Sequence, residues 1–122
     1  DYQSGRLWED AVCYSFYPID LHVSSGSGLD MEMLTEGVVP TIPRAAMIPK
    51  DSRNFLVAGR CISSDRLANS ALRVQATSMG TGQGAGALAA LAASEGCTPG
   101  DVPLYAMRSL LKAHGAIVPP PT

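Results

Sequence analysis

Four glycines at alternate positions, in Gly80-Thr81-Gly82-Gln83-Gly84-Ala85-Gly86, are the first residues whose type and spacing suggest chemistry. The run fits the GxGxxA fingerprint from either Gly80 or Gly82, with Asp101 about 20 residues on, where a ribose-binding acid would stand. Context argues against that reading, because Ala76-Thr77-Ser78-Met79 continues a helical pattern where a strand must come first. As helix positions, each glycine costs up to ~1 kcal/mol relative to alanine. Gly80 and Gly84 share one face, and Gly82 and Gly86 roughly the opposite one, so a helix approached closely on both sides is expected. Asn69-Ser70 ahead of Ala71-Leu72 is a helix N-cap signal, and a helix start is a ready anion site. On residue types alone, Asn69 simply caps and Gly59 simply ends a strand. Arg44 has the chemistry to clamp a carboxylate bidentately, or equally to sit in a surface ion pair. Arg60, Arg66 and Arg73 suit either a phosphate or carboxylate partners.

The remaining reactive groups support less. Cys13, Cys61 and Cys97 form no CxxC pair, which favours reduced thiols and a cytoplasmic compartment. For Cys61 a redox role is set against a buried structural thiol, the plainer reading. His22 and His114 stand far apart without a carboxylate or cysteine at ligand spacing, so no metal site is expected. His114 suits the dipole at a helix end.

The elements that must position these residues come from 122 residues, 46% hydrophobic, with a formal charge of -2. That is one domain's worth of chain with a real core and no cationic face for nucleic acid. Ala11 to Tyr17 reads as a strand stopped by Pro18, with a second strand over Ile19 to Val23 and a Ser/Gly turn over 24–28. Leu29 to Val39 fits a strand or a short helix, and the prolines at 40, 43 and 49 leave an extended segment around Arg44 to Ile48. Phe55-Leu56-Val57-Ala58, ending at Gly59, looks like a strand buried on both faces. Next come a long Gly/Ala-rich helix from Asn69-Ser70 to about Ser94 or Gly96, and an amphipathic C-terminal helix. Asp101 is expected to cap the latter, with Pro103 in its first turn, a stripe of Leu104, Met107, Leu110 and Leu111, and Gly115 past its end. Val74 to Ser94 carries no formal charge and has about the length of a membrane span, but its Ala, Gly, Ser, Thr and Gln predict a buried helix and no membrane.

Phe55 to Ser63, continued by Ala68-Asn69-Ser70-Ala71-Leu72-Arg73-Val74 and Gly82-Gln83-Gly84-Ala85-Gly86, resembles the C-terminal flavin-binding segment of FAD-dependent oxidoreductases. The resemblance is closest to the bacterial family related to fumarate reductase and succinate dehydrogenase flavoproteins. Tyr17-Pro18-Ile19-Asp20-Leu21-His22, Ile42-Pro43-Arg44 and Met47-Ile48-Pro49 extend it over roughly Trp8 to Val118.

The resemblance implies an α/β fragment of a FAD-binding Rossmann-like domain, with the βαβ unit that holds the ADP half of FAD supplied by a separate N-terminal half. The opening Asp1 in place of Met fits that expectation. Residues 1–50 would be part of a substrate-facing β-rich region, 51–118 the C-terminal part of the FAD-binding domain and 119–122 a tail. By the same resemblance, Gly59 and Arg60 end the strand at the flavin, and Asn69, Ser70, Ala71 and Leu72 begin the helix aimed at the pyrimidine edge. His22 lies in the segment that the resemblance places before the substrate-facing region and has the chemistry to give or take a proton near flavin N5, set against a hydrogen-bonded structural histidine. Arg44 is ranked beside it as a substrate-binding group on its own chemistry. The intact enzyme would pass a hydride between a small-molecule substrate and FAD, while this piece alone would be inactive. Exposed sheet edges would allow a homo-oligomer. The competing expectation is a non-enzymatic interaction or oligomerisation module that binds no flavin. A flavoprotein fragment should expose apolar surface around Phe55 to Leu72, and a module should bury it.

Overall fold

A computed structural model describes residues 1–17, 19–22, 29–32 and 34–121 of the chain. Its strands are β1 (Ala11–Tyr14), β2 (Ile19–His22), β3 (Leu29–Glu32) and β4 (Thr41–Pro43). β1 pairs antiparallel with β4, and β2 antiparallel with β3. The first two expected strands are thus present, while Pro18, Val23 and the 24–28 turn lie outside the described residues. In β1, Ala11, Val12 and Cys13 are all buried. The register shift between Ala11 and Cys13 marks a bulge, which breaks the in-out alternation of a regular strand.

Arg44 to Ile48 is not extended. Arg44–Met47 forms a 3₁₀ turn, because Asp10 satisfies its first donors: the Arg44 N–H donates to the Asp10 carbonyl (2.8 Å) and the Ala45 N–H to Asp10 Oδ2 (2.9 Å). Phe55 to Ala58 is not a buried strand either. Phe55 is 61% exposed, and Leu56 to Ala58 are half-buried. The Val57 N–H donates to Met47 O (2.8 Å), but no ladder follows. An apolar run becomes a strand only where neighbours offer successive backbone partners.

The single long helix expected from Asn69 is two helices. α1 (Arg66–Leu72) starts at Asp65, whose side chain accepts from the Ala68 N–H (2.8 Å). Arg73 ends it, Val74 is extended (ψ 156°), and α2 runs over Gln75–Glu95 until Gly96 (φ 66°) closes it. Asp101 does not cap the last helix; it lies in a 3₁₀ turn, Pro99–Asp101, accepting from Thr98 Oγ1 (2.9 Å). Pro103 is the cap residue of α3 (Leu104–Ala113), and Gly115 (φ 79°) follows its end. Pro119, assigned to the tail, is fully buried.

One core joins both halves of the chain: Val12, Ile42 and Met47 meet Leu88, Val102, Met107 and Leu111. α2 lies between β1 and α3, and its glycines explain how closely. A Cβ on Gly80 would stand 3.2 Å from Cys13 Sγ, and one on Gly84 would overlap Val12 Cγ1. Gly82 and Gly86 meet nothing within 4 Å. The helix is therefore closely approached on one glycine face, and the other is uncovered among the described residues.

Candidate functional site

The residues that gather are those of the Gly59–Cys61 turn and the start of α2. Gly59 adopts φ 64°, where a side chain is strained, and this backbone angle is what calls for glycine. Space does not, since a Cβ there would lie at an ordinary 3.6 Å from Ser78 Cβ and Oγ. The Gly59 N–H donates to Thr81 Oγ1 (2.8 Å), and the same hydroxyl donates to Ser78 O (3.0 Å). Arg60, exposed, turns its Nε–H to Arg73 O (3.2 Å), in the gap between α1 and α2.

The start of α2 is held from its other side. Thr77 Oγ1 lies 2.9 Å from Ser15 Oγ in a buried contact, and Ser15 Oγ lies 3.2 Å from the Tyr2 hydroxyl, which donates to Tyr17 O (2.8 Å). Burial raises the Tyr2 pKa, and its bonds to Ser15 and Tyr17 O oppose that rise. Val74 stands at the cap position of α2, makes no side-chain cap bond and has no side-chain oxygen to offer. Gln75 and Ala76, the first helical residues, are exposed. A helix of 21 residues thus presents an uncapped, partly positive end beside a cationic side chain and a left-handed glycine.

Of the residues singled out in the sequence, Gly59 and Arg60 are in this place. Asn69, Ser70, Ala71 and Leu72 do not begin a helix; they form the last turns of α1. Asn69 O accepts from the Arg73 N–H (3.2 Å), and Ser70 Oγ donates to Leu67 O (2.6 Å). Ser70, Ala71 and Leu72 are buried, with Leu72 in the core. Their side chains serve packing, and the anion-attracting helix end belongs to residues 74–77 instead. Asn69-Ser70 has the residue types of a cap, but Asp65 lies four residues ahead of Asn69 and already accepts from the Ala68 N–H at the start of the helix.

Arg44 Nη1 donates to Val102 O (2.7 Å), tying its 3₁₀ turn to the chain ahead of α3. His22 ends β2 opposite Leu29, and β2 lies against α1. Cys61 is exposed, contrary to the plainer expectation of a buried thiol, because it sits on the outer side of the turn; Cys13 is the buried one. Thr81, Thr77 and Val74 were missed. Their signal was a threonine pair in a Gly/Ala helix, where alanine would be the better helix former.

The apolar surface is distributed differently from either expectation. Phe55 and Leu67 are exposed, whereas Ala71 and Leu72 are buried. No helix among the described residues is long and apolar enough to cross a membrane.

Residues 1–111 match the family model described as FAD dependent oxidoreductase. The chain belongs to that family, which makes it part of an oxidoreductase whose cofactor, in the intact protein, is FAD. Its mixed strands and helices agree with an α/β FAD-binding fold. No match was found among curated proteins or among solved structures. The residues present fit the anionic and carbonyl edge of a flavin: the uncapped N–H groups of α2 and the Arg60 guanidinium are donors only, as such an edge requires.

Proposed function

We propose that this chain supplies the flavin-facing end of the intact enzyme, with Gly59, Arg60 and the start of α2 at the isoalloxazine edge. The observation that carries the reading is the 2.8 Å bond from the Gly59 N–H to Thr81, which joins the turn to the first turns of α2. When bound, FAD supplies hydride transfer at flavin N5 to or from a small-molecule substrate. The chain's own part is electrostatic and positional. The partial positive charge at residues 74–77, together with Arg60, stabilises negative charge placed there and favours the reduced cofactor. Thr77, held by Ser15, fixes the direction of that helix end. His22 enters the proposal as the group that gives or takes the substrate proton, and the N–H groups of Arg44 not engaged by Val102 as a carboxylate-binding site.

The same proposal includes kinship with the fumarate reductase and succinate dehydrogenase flavoproteins, a bacterial source and a cytoplasmic setting. It also includes an N-terminal half that carries the ADP-binding unit, and self-association through exposed strand edges. A second reading, a module that binds no flavin, has the uncovered face of α2 in its favour, where Met79 is 76% exposed beside Gly82 and Gly86.

The test is FAD titration into the intact protein, followed by flavin fluorescence, with Arg60→Glu as the variant. The wild type should bind saturably and Arg60→Glu about tenfold or more weakly, the scale of a lost bond to a charged group. Its flavin potential should also fall. Equal binding by the two proteins would remove Arg60 from the site, and absence of binding would select the module.

A further inference from the structure

Thr81 lies in the second turn of α2 and is fully buried. A threonine there gives up helix propensity relative to alanine, yet its hydroxyl makes two bonds of defined direction. It donates to Ser78 O at 3.0 Å, which leaves a lone pair for the Gly59 N–H at 2.8 Å. The branched side chain is stiff at χ1, and the bond to Ser78 selects its rotamer, so the oxygen is fixed before Gly59 meets it. Gly59 needs such a restraint. A glycine at φ 64° has wide conformational freedom, and the backbone bonds closing its turn are long: Cys61 N–H to Ala58 O and Ile62 N–H to Gly59 O are both 3.4 Å. The second anchor, Arg60 Nε to Arg73 O at 3.2 Å, comes from an exposed side chain.

We propose that Thr81 is the positioning residue of the flavin site: through the Gly59 N–H it sets how far the Gly59–Cys61 turn stands from the start of α2. This inference rests on the reading of that site as the flavin edge. Thr81 itself touches no cofactor. Its hydroxyl acts by holding a backbone whose next residue, Arg60, does.

The test compares Thr81→Val, which keeps shape and burial but removes the acceptor, with Thr81→Ser, which keeps the acceptor, in the intact protein. FAD dissociation constants, the flavin visible spectrum, the reduction potential and thermal melting are measured together. Thr81→Val should bind FAD about tenfold more weakly, the effect of one unpaired N–H in a site. Its flavin band and potential should shift, and Thr81→Ser should restore both. A purely structural threonine would lower melting in Thr81→Val through the unpaired Gly59 N–H and in Thr81→Ser through the lost methyl group, with an unmoved spectrum in both. If Thr81→Val does not fold, Thr81→Ala is read in its place. A folded, FAD-loaded variant without the hydroxyl that keeps the wild-type affinity, spectrum and potential overturns this inference alone. A wild type that binds no FAD overturns the reading of the site, and this inference with it.

Discussion

Replacing Gly84 by alanine tests the packing of α2 against β1 at its tightest point. The new Cβ would overlap Cγ1 of Val12, which is buried on the bulged strand. Valine is stiff at χ1, so rotation offers little relief, and either the strand or the helix must shift. Overpacking of this kind costs about 1–3 kcal/mol. Alanine regains up to ~1 kcal/mol of helix propensity over glycine, which leaves Gly84→Ala destabilising by about 0–3 kcal/mol. Gly82 is the internal control, because it occupies the same helix with nothing within 4 Å of a new Cβ. Gly82→Ala should therefore stabilise by up to ~1 kcal/mol. The two substitutions, identical in chemistry and two residues apart, should differ by about 1–3 kcal/mol. Urea unfolding reads the difference as separated midpoints at equal slope. Coincident midpoints, or a Gly84→Ala variant more stable than the Gly82→Ala variant, would refute the claim that β1 is why Gly84 lacks a side chain.

Asp65→Ala should lower stability by about 0.5–2 kcal/mol in chemical denaturation through loss of the α1 cap, whereas Asn69→Ala, inside the helix, should cost less. Arg44→Ala should remove the tie to Val102 and destabilise by about 1.5–3 kcal/mol; a raised KM with an unchanged melting temperature would instead mark a substrate clamp. Burial pushes the Cys13 thiol from 9.0 up to about 11. Because the folded value is the higher one, its contribution is complete below pH 9 and is lost as the pH rises towards 11. Cys13→Ala should flatten the fall in urea midpoint over that window, with Tyr2→Phe as companion because the Tyr2 hydroxyl is shifted in the same direction. Under native conditions at pH 8, exposed Cys61 should be alkylated well before Cys13, as peptide mass spectrometry would show.

Much of the fold was legible in residue types. Pro103 and Gly115 bracket α3, Gly96 ends α2, and the aromatic and branched residues around Ala11 mark β1, because each of these signals acts within a few residues. The errors share one cause. Phe55 to Ala58 has the composition of a buried strand, but pairing is a property of neighbours, and beyond the local turn bond from Cys61 N–H to Ala58 O only Met47 O meets it with a backbone bond among the described residues. Asn69-Ser70 has the composition of a cap, but Asp65 had already started the helix, and Val74 then broke it without a Gly or Pro to announce the break. Of the candidate site, Gly59 and Arg60 were reached through the resemblance to flavin-binding segments and not from residue types, and residues 74–77 and Thr81 were not reached at all.

From its sequence alone this chain is a mixed strand and helix unit with a Gly/Ala helix too small-sided to stand by itself and a segment resembling a flavin-binding end. Local periodicity, caps and glycine positions carry that much because they depend on neighbours along the chain. The tertiary structure alone decided which glycine face is covered, where the uncapped helix end lies, and that a buried hydroxyl holds the Gly59 turn against it. Those outcomes depend on residues far apart in sequence, Val12 with Gly84, Ser15 with Thr77 and Gly59 with Thr81. Which of several polar partners a backbone group finds is settled only when the core closes around it.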